Sequence, residues 1–147
     1  MAESCRQKQF AIIERFASCN SDQDRYAMII AMGRSLPAMN PELAIEKNLV
    51  SGCQSRTYLH SELVDGRLHF KAQSDALISA GLAALLLVVY SGERASTLLT
   101  CPPDFLKTLE LARYLTPSRS SGLLAVHLRM KRDAMHQLAS RQDQLSG

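Results

Sequence analysis

The chain has 147 residues, of which 46% are hydrophobic and 21% charged, a balance that excludes an intrinsically disordered protein. Its net charge is +3, and the basic residues are scattered instead of grouped, which argues against a nucleic-acid partner. The length is typical of one domain, and we predict a single domain over residues 1–147.

The N-terminus and the longest apolar run bear on where the protein resides. Residues 1–8 lack the apolar core of a secretion signal, and the run Gly81–Tyr90 is far too short to cross a bilayer. We therefore expect a cytoplasmic protein with no membrane partner. In a reducing compartment its cysteines should remain free thiols. They are Cys5, Cys19, Cys53 and Cys101.

The first part of the chain predicts two helices. Apolar residues recur at every third position from Phe10 to Phe16, which predicts a helix from about Ser4 to Cys19 with these residues on one face. A second amphipathic helix, capped within Asn20-Ser21-Asp22, should end before Pro37. A short helical turn is expected from Glu42 to Lys47.

Residues 55–73 show the alternation of a β-hairpin. In the second half of this segment the apolar residues Leu68, Phe70 and Ala72 alternate with polar ones. Asp65-Gly66 between the two halves suits the positive backbone angles of a tight turn. The pattern therefore predicts two antiparallel strands.

Three further helices are predicted after the hairpin. Ser74 should cap a helix that starts at Asp75, and from Gly81 onward this helix is apolar nearly all round, as in the centre of a core. Another helix should follow Pro102-Pro103-Asp104, and the last should begin near Gly122. The positions expected at helical spacing in the last helix are Leu124, His127, Leu128 and Met135.

Cys53 is the leading candidate for chemistry. It stands between Gly52 and Gln54, just before a predicted strand, at a loop apex where a thiol could be offered to a partner. Because the thiolate is the attacking species, a nearby cation or backbone N–H group would assist by lowering the pKa of the thiol. Local sequence alone equally allows a small buried side chain at a tight turn.

The run Val50-Ser51-Gly52-Cys53-Gln54-Ser55 resembles the V-x-G-C-Q-S signature of the SufE family. Ser74-Asp75-Ala76 and Leu115-Thr116-Pro117-Ser118-Arg119 match later family motifs in the expected order. The resemblance covers roughly residues 37–138. Three positions depart from the family pattern, namely Tyr58 in place of Trp, Glu110 in place of Gly and Ser121 in place of Asn.

The resemblance implies an α+β fold, in which a small antiparallel sheet packs against several helices as in SufE and IscU proteins. The predicted elements agree with this fold. It also implies that Cys53 takes persulfide sulfur from a SufS-type cysteine desulfurase, that the chain stimulates this enzyme, and that sulfur passes to a SufBCD-type scaffold for iron–sulfur cluster assembly. Pyridoxal phosphate would belong to the desulfurase, and the chain would have no cofactor of its own.

Four more residues are candidates for supporting the thiol or contacting the partner, namely Gly52, Gln54, Asp75 and Arg119. Arg119 could lower the pKa of the thiol, bind loop carbonyls or contact the partner. Asp75 could serve structure or partner contact. We further expect the resting thiol to lie against apolar residues and its loop to swing outward on docking. The surface around the loop could also serve a weak homodimer.

Three other classes of function compete with sulfur transfer. A metal site is disfavoured because the chain lacks C-x-x-C and H-x-x-x-H spacings. A cysteine hydrolase would need a general base oriented against Cys53, and the four histidines form no evident catalytic set. A helical interaction protein or scaffold that binds without moving sulfur stays open as the alternative.

Overall fold

The computed structural model describes residues 4–146, with the exception of the side chains of residues 112, 114 and 141–146. Its elements in chain order are α1 (Cys5–Ala17), α2 (Asp22–Arg34), β1 (Thr57–Val64), β2 (Arg67–Ser74), α3 (Leu77–Tyr90), β3 (Glu93–Arg94), α4 (Ala95–Thr100), α5 (Phe105–Thr108), α6 (Leu111–Tyr114) and α7 (Pro117–Ser146). Two turns of 3₁₀-helix, Pro41–Leu43 and Glu46–Asn48, occupy the region of the expected short turn.

The predicted hairpin is confirmed. Strands β1 and β2 pair antiparallel, with Thr57 opposite Ser74. Asp65 and Gly66 join them with φ values of 52° and 78°, the positive angles that a two-residue hairpin turn requires. The two-residue strand β3 extends the sheet in the order β1-β2-β3.

Helix α3 forms the centre of the core, as predicted. It packs against α1, α2, α7 and strand β2, so that its residues are buried on several faces. Two glycines let α2 and α3 cross in direct contact. A Cβ on Gly81 would collide with the Ile29 carbonyl oxygen, and one on Gly33 would lie 2.6 Å from the Gly81 nitrogen. The resulting architecture confirms the predicted α+β class, a small antiparallel sheet packed against helices.

The predicted face of α1 was wrong at Phe10, whose side chain is 61% exposed. The buried positions are Cys5, Gln9, Ile12 and Phe16. A strict three-residue repeat drifts around a helix of 3.6 residues per turn, which places Phe10 and Phe16 about 120° apart. The buried set follows the mixed spacing of three and four that keeps residues on one face.

Two predicted helix starts were also wrong. Ser74 ends strand β2, and α3 begins at Leu77 without a side-chain cap. Helix α7 begins at Pro117 instead of near Gly122, because proline is well suited to the first turn of a helix. The last helix therefore includes the Pro117-Ser118-Arg119 motif.

The buried face of α7 differs from the predicted one. Leu124, Leu128 and Met135 are each more than half exposed, whereas His127 is buried as expected. The buried residues of the described part of α7 are Leu123, Val126, His127, Met130 and Ala134. Two apolar stripes run side by side along this helix, and only packing against α3 and α4 selects between them.

The helix predicted after Pro102-Pro103-Asp104 is divided at Glu110 into α5 and α6. Glu110 has φ 53°, in the left-handed region that favours glycine. This is one of the positions where the chain departs from the family pattern, and the departure places a Cβ where the backbone disfavours one.

We predict that Glu110→Gly stabilises the fold by about 1 kcal/mol, because glycine removes the left-handed strain. Urea unfolding should show a higher midpoint with an unchanged slope. The exposed ion pair with Arg113, at 3.6 Å, contributes little that could be lost. The matched control is Glu14→Gly, an exposed position within α1, which should cost about 1 kcal/mol. A lower midpoint for E110G would contradict the assignment of strain.

Candidate functional site

Cys53 lies in the loop between the 3₁₀ turn Glu46–Asn48 and strand β1. Gly52, directly before it, has φ 91°, and a Cβ there would lie 3.3 Å from Cβ of Ala125 in α7. Val50 donates its N–H to the Thr57 carbonyl at 2.8 Å, so the loop leaves from the edge of the sheet. Glycine at position 52 thus supplies both the backbone angle and the close approach to α7.

The Cys53 thiol is half-buried and faces inward. Its Sγ lies 3.6 Å from the carbonyl oxygen of Gly122, to which it can donate. It shares a small pocket with apolar side chains from α3 and α7, namely Leu82, Ala83, Leu123 and Val126. Burial raises the pKa of the Cys53 thiol, and a hydrogen bond from the Thr57 side chain opposes that shift. The resting site therefore shelters a protonated thiol against apolar residues.

Arg119 lies in the first turn of α7 at the mouth of the site. It lines the same open cavity as Cys53 and Gln54, and both Arg119 and Gln54 are exposed. Among the described residues, no hydrogen bond or ion pair to the Arg119 guanidinium is formed. The structure thus brings Cys53, Gln54 and Arg119 together and leaves a cation facing the solvent beside the thiol.

Asp75 lies directly after β2 and is hydrogen-bonded to Arg56, the residue directly before β1. Its Oδ1 accepts the Arg56 N–H at 3.0 Å, and its own N–H donates to the Arg56 carbonyl at 3.2 Å. These reciprocal bonds hold the residue before β1 next to the residue after β2. In this structure the Asp75 carboxylate therefore acts on the backbone of the neighbouring segment rather than on the start of a helix.

Arg129 of α7 holds the segment that leads to Cys53, a role that the sequence analysis missed. Its guanidinium donates to the carbonyl oxygens of Leu49, at 3.2 Å, and of Lys47. It also pairs with Asp133 at 3.4 Å, and Asp133 accepts a hydrogen bond from Ser61 of β1. The i,i+4 spacing of Arg129 and Asp133 is visible in the sequence, but carbonyl partners some 80 residues away are not.

A cluster of hydroxyl groups lies beneath the thiol and was also missed. It comprises Ser55 before β1, Thr57 in β1, Ser74 in β2 and Ser79 in α3. Ser55 donates to Ser79 at 2.9 Å, and Thr57 donates to Ser74 at 3.0 Å. The sequence offers a weak signal, because a hairpin turn at 65–66 places Thr57 opposite Ser74.

The remaining cysteines have different environments. Cys5 and Cys101 are buried, and the Gln9 amide donates to both sulfurs, at 3.6 and 3.4 Å. Burial raises the pKa of Cys5 to about 12, with a further contribution from contact with Cys101. Cys19 is half-buried. A thiolate is strongly disfavoured at Cys5.

The histidines supply no base to the site. His127 is buried with its ring 5.3 Å from that of Tyr90, and burial lowers its pKa to about 4, assisted by the charge of Lys131. In the described part of the chain, no histidine lines either cavity at Cys53. Within residues 4–146, apart from the undescribed side chains, no three of His, Cys, Asp and Glu group as metal ligands.

A profile described as the SufE Fe-S metabolism associated domain matches residues 10–134. The chain belongs to the SufE family. This confirms the resemblance found at the Cys53 loop. It also associates the chain with iron–sulfur metabolism and supports a sulfur-transfer role alongside a cysteine desulfurase.

Several relatives cover most of this SufE chain. An uncharacterised SufE-like protein of Synechocystis sp. is 33% identical over 124 residues, 84% of this chain and 78% of the relative. One from Rhizobium meliloti is 34% identical over 128 residues, 84% of this chain and 91% of the relative. The solution structure of a hypothetical protein from Thermus thermophilus superposes with a TM-score of 0.74 at 25% identity, covering 90% of this chain and 96% of that one.

A plant relative bears on location. SufE-like protein 1, chloroplastic/mitochondrial, of Arabidopsis thaliana is 30% identical over 138 residues, which are 92% of this chain but only 37% of the relative. None of the helices in the described part of the chain is long and apolar enough to span a membrane. The relative is named for two organelles, so a cytoplasmic location for this SufE protein stays a prediction.

We predict that Arg129→Met loosens the Cys53 loop, because the Leu49 and Lys47 carbonyls lose their donor while the aliphatic stem is kept. Iodoacetamide should alkylate Cys53 several-fold faster, as followed by peptide mass spectrometry, and stability should fall by about 1–3 kcal/mol. Arg132→Met is the matched control, since Arg132 is 57% exposed and lies 3.9 Å from Asp133. Unchanged alkylation in R129M would show that these bonds do not restrain the loop.

Proposed function

We propose that this SufE protein accepts persulfide sulfur on Cys53 from a SufS-type cysteine desulfurase, stimulates that enzyme, and delivers the sulfur to a SufBCD-type scaffold. The observation that carries the proposal is the position of Cys53. The thiol of the family signature lies on a glycine-shaped loop, half-buried in a pocket whose mouth holds the solvent-facing cation of Arg119.

The chemistry is a thiol exchange. Cys53 attacks the outer sulfur of the desulfurase persulfide, the bond between the two donor sulfurs breaks, and a new sulfur–sulfur bond forms on Cys53. The donor cysteine leaves as a thiolate and takes up the proton that Cys53 gives up. The outer sulfur is transferred without net oxidation or reduction. Pyridoxal phosphate belongs to the desulfurase, and Cys53 supplies the acceptor.

The resting geometry suggests that docking activates the thiol. Burial raises the pKa of Cys53, and its sulfur faces the Gly122 carbonyl inside the protein. An attacking thiolate therefore forms more readily when the loop swings outward into a polar environment. The same burial protects the product, because a persulfide kept from solvent is less accessible to reductants and other thiols.

Arg119 is well placed to contact the partner. Because it is exposed and its guanidinium has no partner within the described residues, binding an anionic group would break no existing contact. A persulfide carries negative charge when ionised, and a guanidinium at the cavity mouth favours that form. We assign Arg119 to partner and sulfur contact, and Asp75 to positioning the strand that follows Cys53.

An exposed apolar face of α7 adjoins the Cys53 loop. Leu124 and Leu128 are 56% and 61% exposed, and they border a groove with Ser51 and Gly52. A partner that brings its persulfide to Cys53 must approach this loop, so it covers the neighbouring groove as well. We therefore assign the face to the desulfurase, with a homodimer as the alternative occupant.

We predict that wild-type protein gains one sulfur atom on Cys53 after incubation with a SufS-type desulfurase, pyridoxal phosphate and cysteine. The measurement is intact mass, and Cys53→Ser should gain none because the acceptor is missing. Cys19→Ser, which removes another half-buried thiol, is the matched control and should behave as wild type. A C53S protein that still stimulated the desulfurase fully, with no sulfur on wild type, would favour an interaction protein that moves no sulfur.

We predict that Leu128→Glu weakens binding to the desulfurase about tenfold or more, because a charge is placed in an apolar contact. Isothermal titration calorimetry measures the affinity. Met135→Glu is the matched control, since Met135 is 58% exposed on the same helix, two turns further along. If the free protein sediments as a dimer and L128E converts it to a monomer with unchanged desulfurase affinity, the face serves a self-contact instead.

A further inference from the structure

The hydroxyl cluster beneath Cys53 is a connected network drawn from β1, β2, α3 and the loop before β1. Thr57 of β1 donates to Ser74 of β2 at 3.0 Å, and Ser74 donates to Ser55 at 3.5 Å. Ser55 then donates to Ser79 of α3 at 2.9 Å. Ser55 and Thr57 also lie 3.2 Å apart, where either can be the donor.

The network has one hydrogen more than its chain of contacts uses. Four hydroxyls carry four hydrogens, and the chain from Thr57 through Ser74 and Ser55 to Ser79 uses three. Because each hydroxyl can rotate and act as donor or acceptor, the chain can run in either direction. In the direction described above the fourth hydrogen is left on Ser79. In the reverse direction it is left on Thr57, where it can point to Ser55 at 3.2 Å or turn toward Cys53. Both end residues line the small pocket that Cys53 also lines.

The apolar surroundings of Cys53 increase the effect that this free hydrogen has on a charged sulfur. Thr57 is only 1% exposed, and the rest of the pocket is largely apolar, formed by side chains such as Leu82 and Val126. An anionic sulfur is costly in such a place unless a donor faces it. Among the described residues that line the two cavities at Cys53, Arg119 is the one that carries a charge. The residues that β1 and α3 contribute to these cavities are uncharged.

We propose that the hydroxyl network turns its free hydrogen toward Cys53 through Thr57 and so stabilises the anionic sulfur while it lies in the pocket, as the thiolate of the free protein and as the persulfide after transfer. The persulfide part rests on the function proposed above. In the exchange, the proton of Cys53 passes to the leaving donor cysteine, and the outer sulfur keeps its own proton as it is transferred. The persulfide on Cys53 becomes an anion when it releases that proton to solvent. Thr57 faces the sulfur of Cys53 before and after the transfer and takes no part in the change of covalent bonds.

The contact with Thr57 already affects the resting thiol. When Ser74 donates to Thr57, the Thr57 hydrogen can be directed to Cys53, and this hydrogen bond lowers the pKa of the thiol against the larger effect of burial. The network thus compensates in part for the apolar pocket, which shelters the sulfur but disfavours its reactive form. The buried hydroxyl groups therefore have a chemical role in addition to their hydrogen bonds with one another.

The test is the pH dependence of Cys53 alkylation by iodoacetamide in the free protein, resolved by peptide mass spectrometry. Thr57→Val keeps the shape but removes the donor, and it should raise the pKa of the thiol by about one unit. At a pH below the pKa, the alkylation rate should fall about tenfold. Thr57→Ser should restore the wild-type profile. Thr100→Val, which removes an exposed hydroxyl of α4, should change nothing.

A second variant keeps the outcome clear. If T57V unfolds, Ser79→Ala tests the other end of the network and should shift the pKa in the same direction. An unshifted profile in folded T57V, or in S79A where T57V does not fold, overturns the proposal.

A last comparison uses protein loaded with sulfur by the desulfurase. Loaded T57V should lose its persulfide to dithiothreitol several-fold faster than wild type, because a protonated persulfide is attacked more readily by a thiolate. Equal lifetimes overturn the persulfide part. Wild type that takes up no sulfur counts against the proposed function, whereas the pKa of the thiol still decides the role of the network.

Discussion

The burial of helix α3 on several faces is the constraint on which the rest of the structure depends. Gly33 and Gly81 let α2 press directly against it, since a Cβ at either position would meet backbone atoms. The sheet covers α3 through β2, and α7 also packs against it. Because α3 cannot shift, Ser79 and Leu82 are held at fixed positions beneath the Cys53 loop. The floor of the pocket at Cys53 is therefore part of the core.

The Cys53 site balances shelter against reactivity. An apolar floor protects a sulfur atom from solvent, but it also raises the pKa of the thiol and so reduces the thiolate. Polar groups are placed where they oppose this effect, with the Thr57 hydroxyl inside and the Arg119 guanidinium at the mouth. A loop shaped by Gly52 lets the sulfur face inward at rest while remaining close to the surface. These are the properties expected of the sulfur acceptor proposed above.

Helix α7 combines several tasks because of where it begins. Its start at Pro117 brings Arg119 into the first turn, and Gly122 one turn later receives the Cys53 thiol. Further along, Arg129 binds the carbonyls that precede the loop. Leu128 on another face stays exposed beside it. Helix α7 thus carries part of the pocket wall, the restraint on the Cys53 loop and the exposed apolar face. All three move together if the helix moves.

The sequence by itself determined those features that depend on short-range preferences. The hairpin turn follows from Asp65-Gly66, whose positive backbone angles are a local property. The central place of α3 follows from its composition, because a helix without a polar face must be covered on several sides. The α+β class and the family also followed from motifs that can be read in order along the chain.

Tertiary structure decided what depends on partners distant in the chain. The hydroxyl network joins Ser55, Thr57, Ser74 and Ser79. Thr57 and Ser74 lie 17 positions apart, and Arg129 and Leu49 lie 80 positions apart. Of the two apolar stripes on α7, packing alone selected the one that is buried, leaving Leu124 and Leu128 exposed. Periodicity reports that a helix has an apolar face, but identical spacings allow several rotations about its axis, and only the neighbouring elements choose among them.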